Sequence, residues 1–229
     1  MSYNNGPRIV TDGLVLHLDA GNSRSFVNGS TTWFDLSGNR NTGSLGNGPV
    51  YNSANGGNIL FDGSNDYVDF YAPNLGTTTT VEVWCKIASV TTKMIFGWLR
   101  YTLYCYSGHI GFNTYNSDVY GISSTQVTAL GLVNNWVHYV FEMRSDVSYT
   151  NNKIYINGMP QTLGQQLAAT ENSANRNFNS GFGRIAIARH ELSSYFMPMN
   201  CSSFRVYNRA LSASEIRQNY HATKGRFGL

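Results

Sequence analysis

Apolar residues recur at every second position through most of this chain, and helical spacing is nearly absent. In Gly13-Leu14-Val15-Leu16-His17-Leu18-Asp19-Ala20, Leu14, Leu16 and Leu18 fall on one strand face and His17 on the other, where it reads as a surface or edge residue. From Thr77 to Lys86, Val81, Val83 and Cys85 point one way and Glu82, Trp84 and Lys86 the other. Trp136, His138 and Val140 share a face in Asn135–Met143, and Ile185 and Ile187 face inward in Arg184–His190. Shorter runs occupy Ile59–Phe61, Val68–Phe70, Met94–Trp98, Tyr101–Tyr106, His109–Asn113 and Val119–Ser123. Polar breakers separate them. Asp62-Gly63-Ser64-Asn65 makes a turn, and Asn157-Gly158 is the two-residue signal of a tight hairpin.

Helical chemistry enters near the end. Phe204 and Val206 belong to an extended run, Asn208-Arg209 breaks it, and Ser212-Ala213-Ser214-Glu215 follows as a capping box. Leu211 and Ile216 flank the box as a hydrophobic staple. A strand followed by a capped one-turn helix predicts a sheet whose end is covered. Composition agrees: charged residues are only 13% of the chain, and 23 glycines serve turns. The 229 residues suit one sandwich-type domain.

Several segments carry a family resemblance. Tyr207-Asn208-Arg209-Ala210-Leu211-Ser212 with Glu215-Ile216 resembles the closing motif of laminin-G-like domains of the concanavalin A superfamily. Asp35–Gly43, Gly56–Phe70, Trp136-Val137-His138 and Tyr155-Ile156-Asn157-Gly158 match that family in order. The resemblance implies an all-β fold: a two-sheet antiparallel jelly-roll sandwich with a short C-terminal helix, the last long strand lying beside the first. The expected layout is an N-terminal arm over 1–12, the sandwich over 13–221 and a tail over 222–229. The ending Asn219–Leu229 resembles that of laminin-G-like structural proteins of tailed-phage virions.

Candidate chemistry is sparse. The tyrosines of the middle third, Tyr101, Tyr104, Tyr106, Tyr115 and Tyr120, read either as cross-strand packing or as a surface on which sugar rings stack. Asp35 and Asn39 lie in Asp35-Leu36-Ser37-Gly38-Asn39-Arg40-Asn41, where oxygen side chains at alternate positions suit calcium. The competing reading is an Asx-type turn. Asp62 and Asp66 likewise read as turn residues, and His138 as a structural histidine hydrogen-bonded inside the sandwich. The 5 Glu and 8 Asp show no paired-carboxylate strand pattern of a glycosidase, so an enzyme is not expected. Glu82 is the residue to test if one is present.

Net charge is +3 without a Lys/Arg block, so no nucleic-acid partner is expected. Lys224 and Arg226 read as a solvated tail or a docking contact. No signal peptide or membrane-length apolar run is visible. Three cysteines, with Cys85 and Cys105 in strand runs, read as reduced buried thiols of a protein folded in cytoplasm. These features point to a non-enzymatic phage virion protein, a capsid decoration or a tail or fibre module. Its expected partners are other virion proteins, copies of itself on the particle, and host-surface glycans, and the arms 1–8 and 222–229 are candidates for docking to neighbours. The alternative is a free or displayed lectin.

Overall fold

The computed structural model describes residues 7–178, 181–187 and 195–229. The expectations for residues 1–6, and for the end of the Arg184–His190 strand, lie outside these. In chain order the strands begin with β1 (Leu14–Asp19), β2 (Thr32–Trp33), β3 (Gly43–Gly46), β4 (Val50–Asn52), β5 (Asn58–Asp62) and β6 (Tyr67–Tyr71). Then come β7 (Thr78–Ile87), β8 (Lys93–Gly97), β9 (Thr102–Tyr106), β10 (His109–Asn113), β11 (Tyr120–Ile122) and helix α1 (Ser124–Ala129). The chain ends with β12 (Val137–Arg144), β13 (Lys153–Ile156), β14 (Met159–Pro160), β15 (Gly164–Gln165), β16 (Phe182–Ile185), β17 (Pro198–Tyr207) and helix α2 (Ala213–Thr223).

Two antiparallel sheets form the sandwich. Among the described residues one sheet runs β14-β13-β12-β7-β17-β5-β4, with β1 also on β17, and the other β15-β11-β10-β9-β8-β16-β6-β3-β2. First and closing strands pair as expected, with Leu16 opposite Val206 and Leu18 opposite Phe204. Inward residues of both sheets meet in an aromatic core: Phe204 lies 5.0 Å from Phe70 and 5.6 Å from Phe96, ring centre to ring centre. Removing such a ring from water stabilises by about 2–3 kcal/mol. The three thiols are free and buried.

The turn chemistry follows the sequence. Asn157 and Gly158 both have positive φ (51° and 79°), which the tight hairpin between β13 and β14 requires. Ser212 accepts from the Glu215 N–H (3.3 Å), and Glu215 accepts from the Ser212 N–H (2.8 Å), closing the capping box. The helix it starts is longer than the single turn expected, running to Thr223, because its Ile216 face packs with Leu211, Tyr207 and Val140 on the outside of the first sheet. A second helix, α1, was not expected. Ser123 and Gln126 cap it with a box of their own.

Several expectations need correction. A bulge between Leu14 and Leu16 turns Leu14 out of the main core and into the cluster beneath α2. His17 is buried, because the Asp35 loop crosses beside it: the His17 N–H donates to Asp35 (2.8 Å) and the Leu36 N–H to the His17 carbonyl. Burial, then the nearby Arg205 charge, pushes the His17 imidazole down to about 3. The segment 222–229 is no solvated tail. Phe227 stacks on Trp84 (4.1 Å) and meets Trp136 at a tilt (4.8 Å), while Arg226 binds Asp19 and the carbonyls of Asn55, Gly56 and Gly57. At the other terminus, the Val10 N–H donates to Asn219 of α2 (2.7 Å), so residues 9–12 are tied to the body.

A charged layer lies under this cover. Glu82 accepts from Asn219 (2.9 and 3.0 Å) and has Arg205 at 3.4 Å and His138 at 3.5 Å. Burial alone would raise the Glu82 carboxyl, but His138, Arg205 and Asn219 outweigh it and hold it below the usual range. His138 differs from the expectation: it sits under the helix, between Trp84 and Tyr220 and not between the sheets, and its ring nitrogens make no hydrogen bond among the described residues, Nε2 only approaching Glu82.

Candidate functional site

The outer face of the second sheet is different. On β9, Leu103 and Cys105 enter the core, so Tyr104 and Tyr106 point outward, where they pack with Met94, Val119, Leu167 and Tyr195. Beside them opens a cleft of about 340 Å³ lined by Met94, Tyr104, Asn113, Tyr115 and Tyr195, with Asn116 and Ser117 at its edge. Its lining is aromatic rings and uncharged polar groups.

Its front wall is the loop from Asn113 to Asp118. Tyr115 and Ser117 both adopt left-handed backbone (φ 61° and 54°). That conformation is costly for a side chain as large as tyrosine, by about 1–2 kcal/mol, and persists only where the surroundings impose it. Asp118 imposes it. Its buried carboxylate accepts from the Thr114 N–H (3.0 Å), the Thr114 hydroxyl (2.7 Å), the Asn116 N–H (3.0 Å) and the Asn113 amide (3.1 Å). Asn172, Asn175 and Thr170 brace the loop from behind through Thr114 and Asn116. Tyr115 is thereby presented half exposed, with the Arg100 guanidinium 4.9 Å above its ring. Desolvation pushes the Asp118 carboxyl above the ordinary range, against the pull of these hydrogen bonds.

The five candidate tyrosines therefore separate. Tyr104 and Tyr115 line the cleft, and Tyr106 adjoins it. Tyr101 does not belong there. It is fully buried, donates to the Arg144 carbonyl (3.1 Å) and bonds Asn152, so no ring face is free for a sugar. Tyr120 turns toward the core and stacks on Tyr149 (5.3 Å). Sequence reasoning missed Asn113, Asn116, Ser117, Asp118 and Tyr195. Only the first had a visible signal, its place at the end of a predicted strand.

The calcium reading does not fit the side chains present. Asp35 spends both oxygens on internal donors: the N–H groups of His17, Ser37 and Asn41 and the Ser37 hydroxyl, all at 2.7–3.0 Å. Asn39 turns its amide nitrogen inward, to the Leu14 carbonyl (3.0 Å) and Ser37 (2.9 Å). A calcium ion needs six to eight oxygens turned toward it, whereas this is an Asx turn that pins the loop to β1. Asp62 behaves alike, accepting from the Ser64 N–H at 2.7 Å. Among the described residues no three His, Cys, Asp or Glu side chains gather as a metal site.

Residues 62–217 match the family described as concanavalin A-like lectin/glucanases superfamily. The chain belongs to that superfamily. No curated protein sequence matches it significantly. Among solved structures it is similar to the receptor-binding domain of botulinum neurotoxin C/D mosaic serotype, with 16% identity and a TM-score of 0.62 over 92% of this chain and 51% of that one. It is also similar to the binding domain of Paraclostridial mosquitocidal protein 1, with 16% identity, TM-score 0.61, and 92% and 52% coverage. A third is the botulinum neurotoxin serotype D ligand-binding domain in complex with N-acetylneuraminic acid, with 16% identity, TM-score 0.60, and 92% and 51% coverage. The chain spans about half the length of these domains, and at this identity the likeness concerns the superfamily fold. Among the described residues of this superfamily member, no helix is long and apolar enough to cross a membrane.

Proposed function

We propose that this chain is a non-enzymatic binding module of a tailed-phage particle, a capsid decoration or a tail or fibre component, that engages a host-surface glycan through the Tyr104–Tyr115 cleft. The observation that carries the binding part is Tyr115, held in a costly backbone conformation beside a cleft of aromatic rings, amides and hydroxyls. Stacking rings with fixed polar groups suit a sugar, whose faces are apolar and whose rim is hydroxylated. The structural neighbours are named as receptor-binding or ligand-binding domains of toxins, which accords with a binding role on this fold. The virion setting rests on the sequence resemblance of the ending. It brings other virion proteins and further copies of the chain as partners, with no nucleic acid or membrane among them.

Catalysis has little to work with. Glu82 is buried under α2, Glu142 is nearly buried and paired with Lys153 (3.0 Å), and none of the described residues lining the cleft is a carboxylate. A retaining glycosidase needs two carboxyl groups about 5–5.5 Å apart, facing substrate. Glu82→Gln would then disturb packing and abolish no turnover of glucans.

Two measurements test the reading. Mass spectrometry of purified particles should find the chain, and its absence from them refutes the virion setting and leaves a free lectin. A glycan array with the full chain should show binding to neutral glycans that Tyr104→Ala or Tyr115→Gly removes. An array blank for the wild type refutes the glycan reading and leaves protein contacts alone.

A further inference from the structure

A second cleft, of about 480 Å³, opens at the end of the first sheet, on the side roofed by α2. One wall is aromatic, Trp136 against Phe227. The rest of the lining is Asn55, Asn134, Asn135 and Asn157, Lys86 at the end of β7, and the apolar Leu130, Val137 and Leu229.

The amides are held in a common way. Asn55 Oδ1 accepts from the Trp136 indole N–H (3.0 Å), and Asn157 Oδ1 accepts from the His138 N–H (3.0 Å). Asn135 donates Nδ2 to the Gly131 carbonyl (2.9 Å). Each amide is thus fixed through one atom, and its other end (Nδ2 of Asn55, Nδ2 of Asn157, Oδ1 of Asn135) has no partner among the described residues. The Asn134 side chain has none at either end. Asn55, Asn134 and Asn157 sit on left-handed backbone (φ 53°, 60° and 51°), which asparagine tolerates and which fixes the direction of each side chain. Turn formation alone accounts for the backbone. The four side chains also share the rim of one cleft, Asn55, Asn134 and Asn135 exposed and Asn157 half-buried, so their outer amide ends are available to a ligand that displaces water.

Lys86 supplies the charge. It is half-buried, and no carboxylate among the described residues pairs with its ammonium. A neutral ligand's hydroxyl can accept from that cation, but a carboxylate replaces the lost water with a stronger, charge-assisted hydrogen bond. An aromatic wall, fixed amide donors and acceptors, and one unneutralised cation are complementary to a pyranose ring that carries a carboxylate.

We propose that this cleft is a second carbohydrate site, separate from the Tyr104–Tyr115 cleft, that takes an acidic sugar. The ring lies along Trp136 and Phe227, its hydroxyls meet the open ends of the asparagine amides, and its carboxylate meets Lys86. The two sites use different sheets, so one molecule holds two sugars of a surface polysaccharide, and their effects on avidity multiply when a single chain spans both.

The test uses the full chain and two matched probes, a glucuronate-terminated oligosaccharide and its glucose-terminated counterpart, by titration calorimetry. The wild type is expected to prefer the glucuronate probe. Lys86→Met should lower that affinity roughly tenfold and erase the preference. Asn134→Gly keeps the left-handed backbone, removes the open amide, and should weaken both probes. Melting curves of both variants identify any that fail to fold. Tyr115→Gly separates this site from the first and should leave glucuronate binding unchanged. Absence of glucuronate binding by the wild type, its persistence in both Lys86→Met and Asn134→Gly, or its loss in Tyr115→Gly would overturn the proposal.

Discussion

Replacing Asp118 by Asn isolates the device that presents Tyr115. The change keeps size and shape but turns one acceptor oxygen into an NH2 group. Around that carboxylate stand only donors: two from Thr114, one from Asn116 and one from Asn113. Charge is not what the site gains, since burial already pushes the carboxyl above its ordinary range. Acceptor count is. In the variant about two donors lose their partner, at about 1–3 kcal/mol each. The loop can avoid part of this by opening, which releases the strain of two left-handed residues, about 1–2 kcal/mol each. The net loss of global stability is then about 1–2 kcal/mol, or about 2–8 °C in Tm for a chain of this size. Amide exchange at residues 114–118 should rise far more than in β9 or β10, and glycan affinity should fall at least as far as in Tyr104→Ala. Tyr115→Gly provides the sign control. It removes the ring but relieves the strain, so stability should hold or rise by about 1 kcal/mol while neutral-glycan binding at this cleft disappears. Full loop protection in Asp118→Asn, or a clear destabilisation by Tyr115→Gly, would refute a loop strained in the service of binding.

Acid sensitivity is expected from His17, whose pKa falls to about 3 in the fold. The unfolded chain protonates this base near pH 6.5 and the folded chain does not, so stability falls as pH drops through that window, by about 1.4 kcal/mol per unit. The groups facing it, Arg205, Asp19 and Glu82, do not change charge there, because Asp19 and Glu82 are held below their ordinary values. Denaturant titrations between pH 7 and 5 should therefore show a shallower slope for His17→Gln than for the wild type, and equal slopes would contradict the assignment. Phe227→Ala should cost about 1–2 kcal/mol through the lost ring contacts with Trp84 and Trp136. Indole fluorescence should shift to the red in the same variant, and an unchanged spectrum would mean the terminal segment does not cover those rings.

Strand positions were legible where one sequence signal decided them. Parity along Thr102–Tyr106 already separates Leu103 and Cys105 from Tyr104 and Tyr106, and the Asn157-Gly158 pair specifies its hairpin without help from the rest of the chain. Ser123-x-x-Gln126 carried the same capping logic as Ser212-x-x-Glu215, yet without an apolar run behind it the six-residue helix was not visible. What failed depended on contacts between distant segments. Period two places His17 opposite Leu16 and Leu18, but only the Asp35 loop and Arg205 decide that this second face is buried. The bulge that turns Leu14 outward leaves no mark in the pattern. Tyrosine density in the middle third was real, but Tyr101 lies before its strand and Tyr120 faces a core built partly by Tyr149, so density could not tell packing rings from presented ones. The Asp118 loop was invisible for a different reason: its signature is positive φ at Tyr115 and Ser117, residues whose sequence gives no cause to expect it.

Among the described residues, the placement of charge accords with the proposed binding role. A carboxylate acts on a substrate only where substrate and water reach it, and then it must keep a proton or an open lone pair. The outer face of the first sheet holds an ionisable cluster, Glu82, Arg205, His138 and His17, but α2 and the Phe227 segment lie over it, and Asn219 and Arg205 already occupy the Glu82 oxygens. Uncovering that cluster would require separating Phe227 from two tryptophans and breaking the Arg226 contacts with Asp19 and the Asn55–Gly57 carbonyls. The outer face of the second sheet is approachable beside Tyr104, and there Asp118, the carboxylate of the described loop, is buried and engaged by that loop's own donors. The ionisable groups therefore hold elements in place on both faces, while rings, amides and a single lysine are what the two clefts offer to a ligand. On the proposed reading, such groups would distinguish one sugar from another by shape and hydrogen bonding.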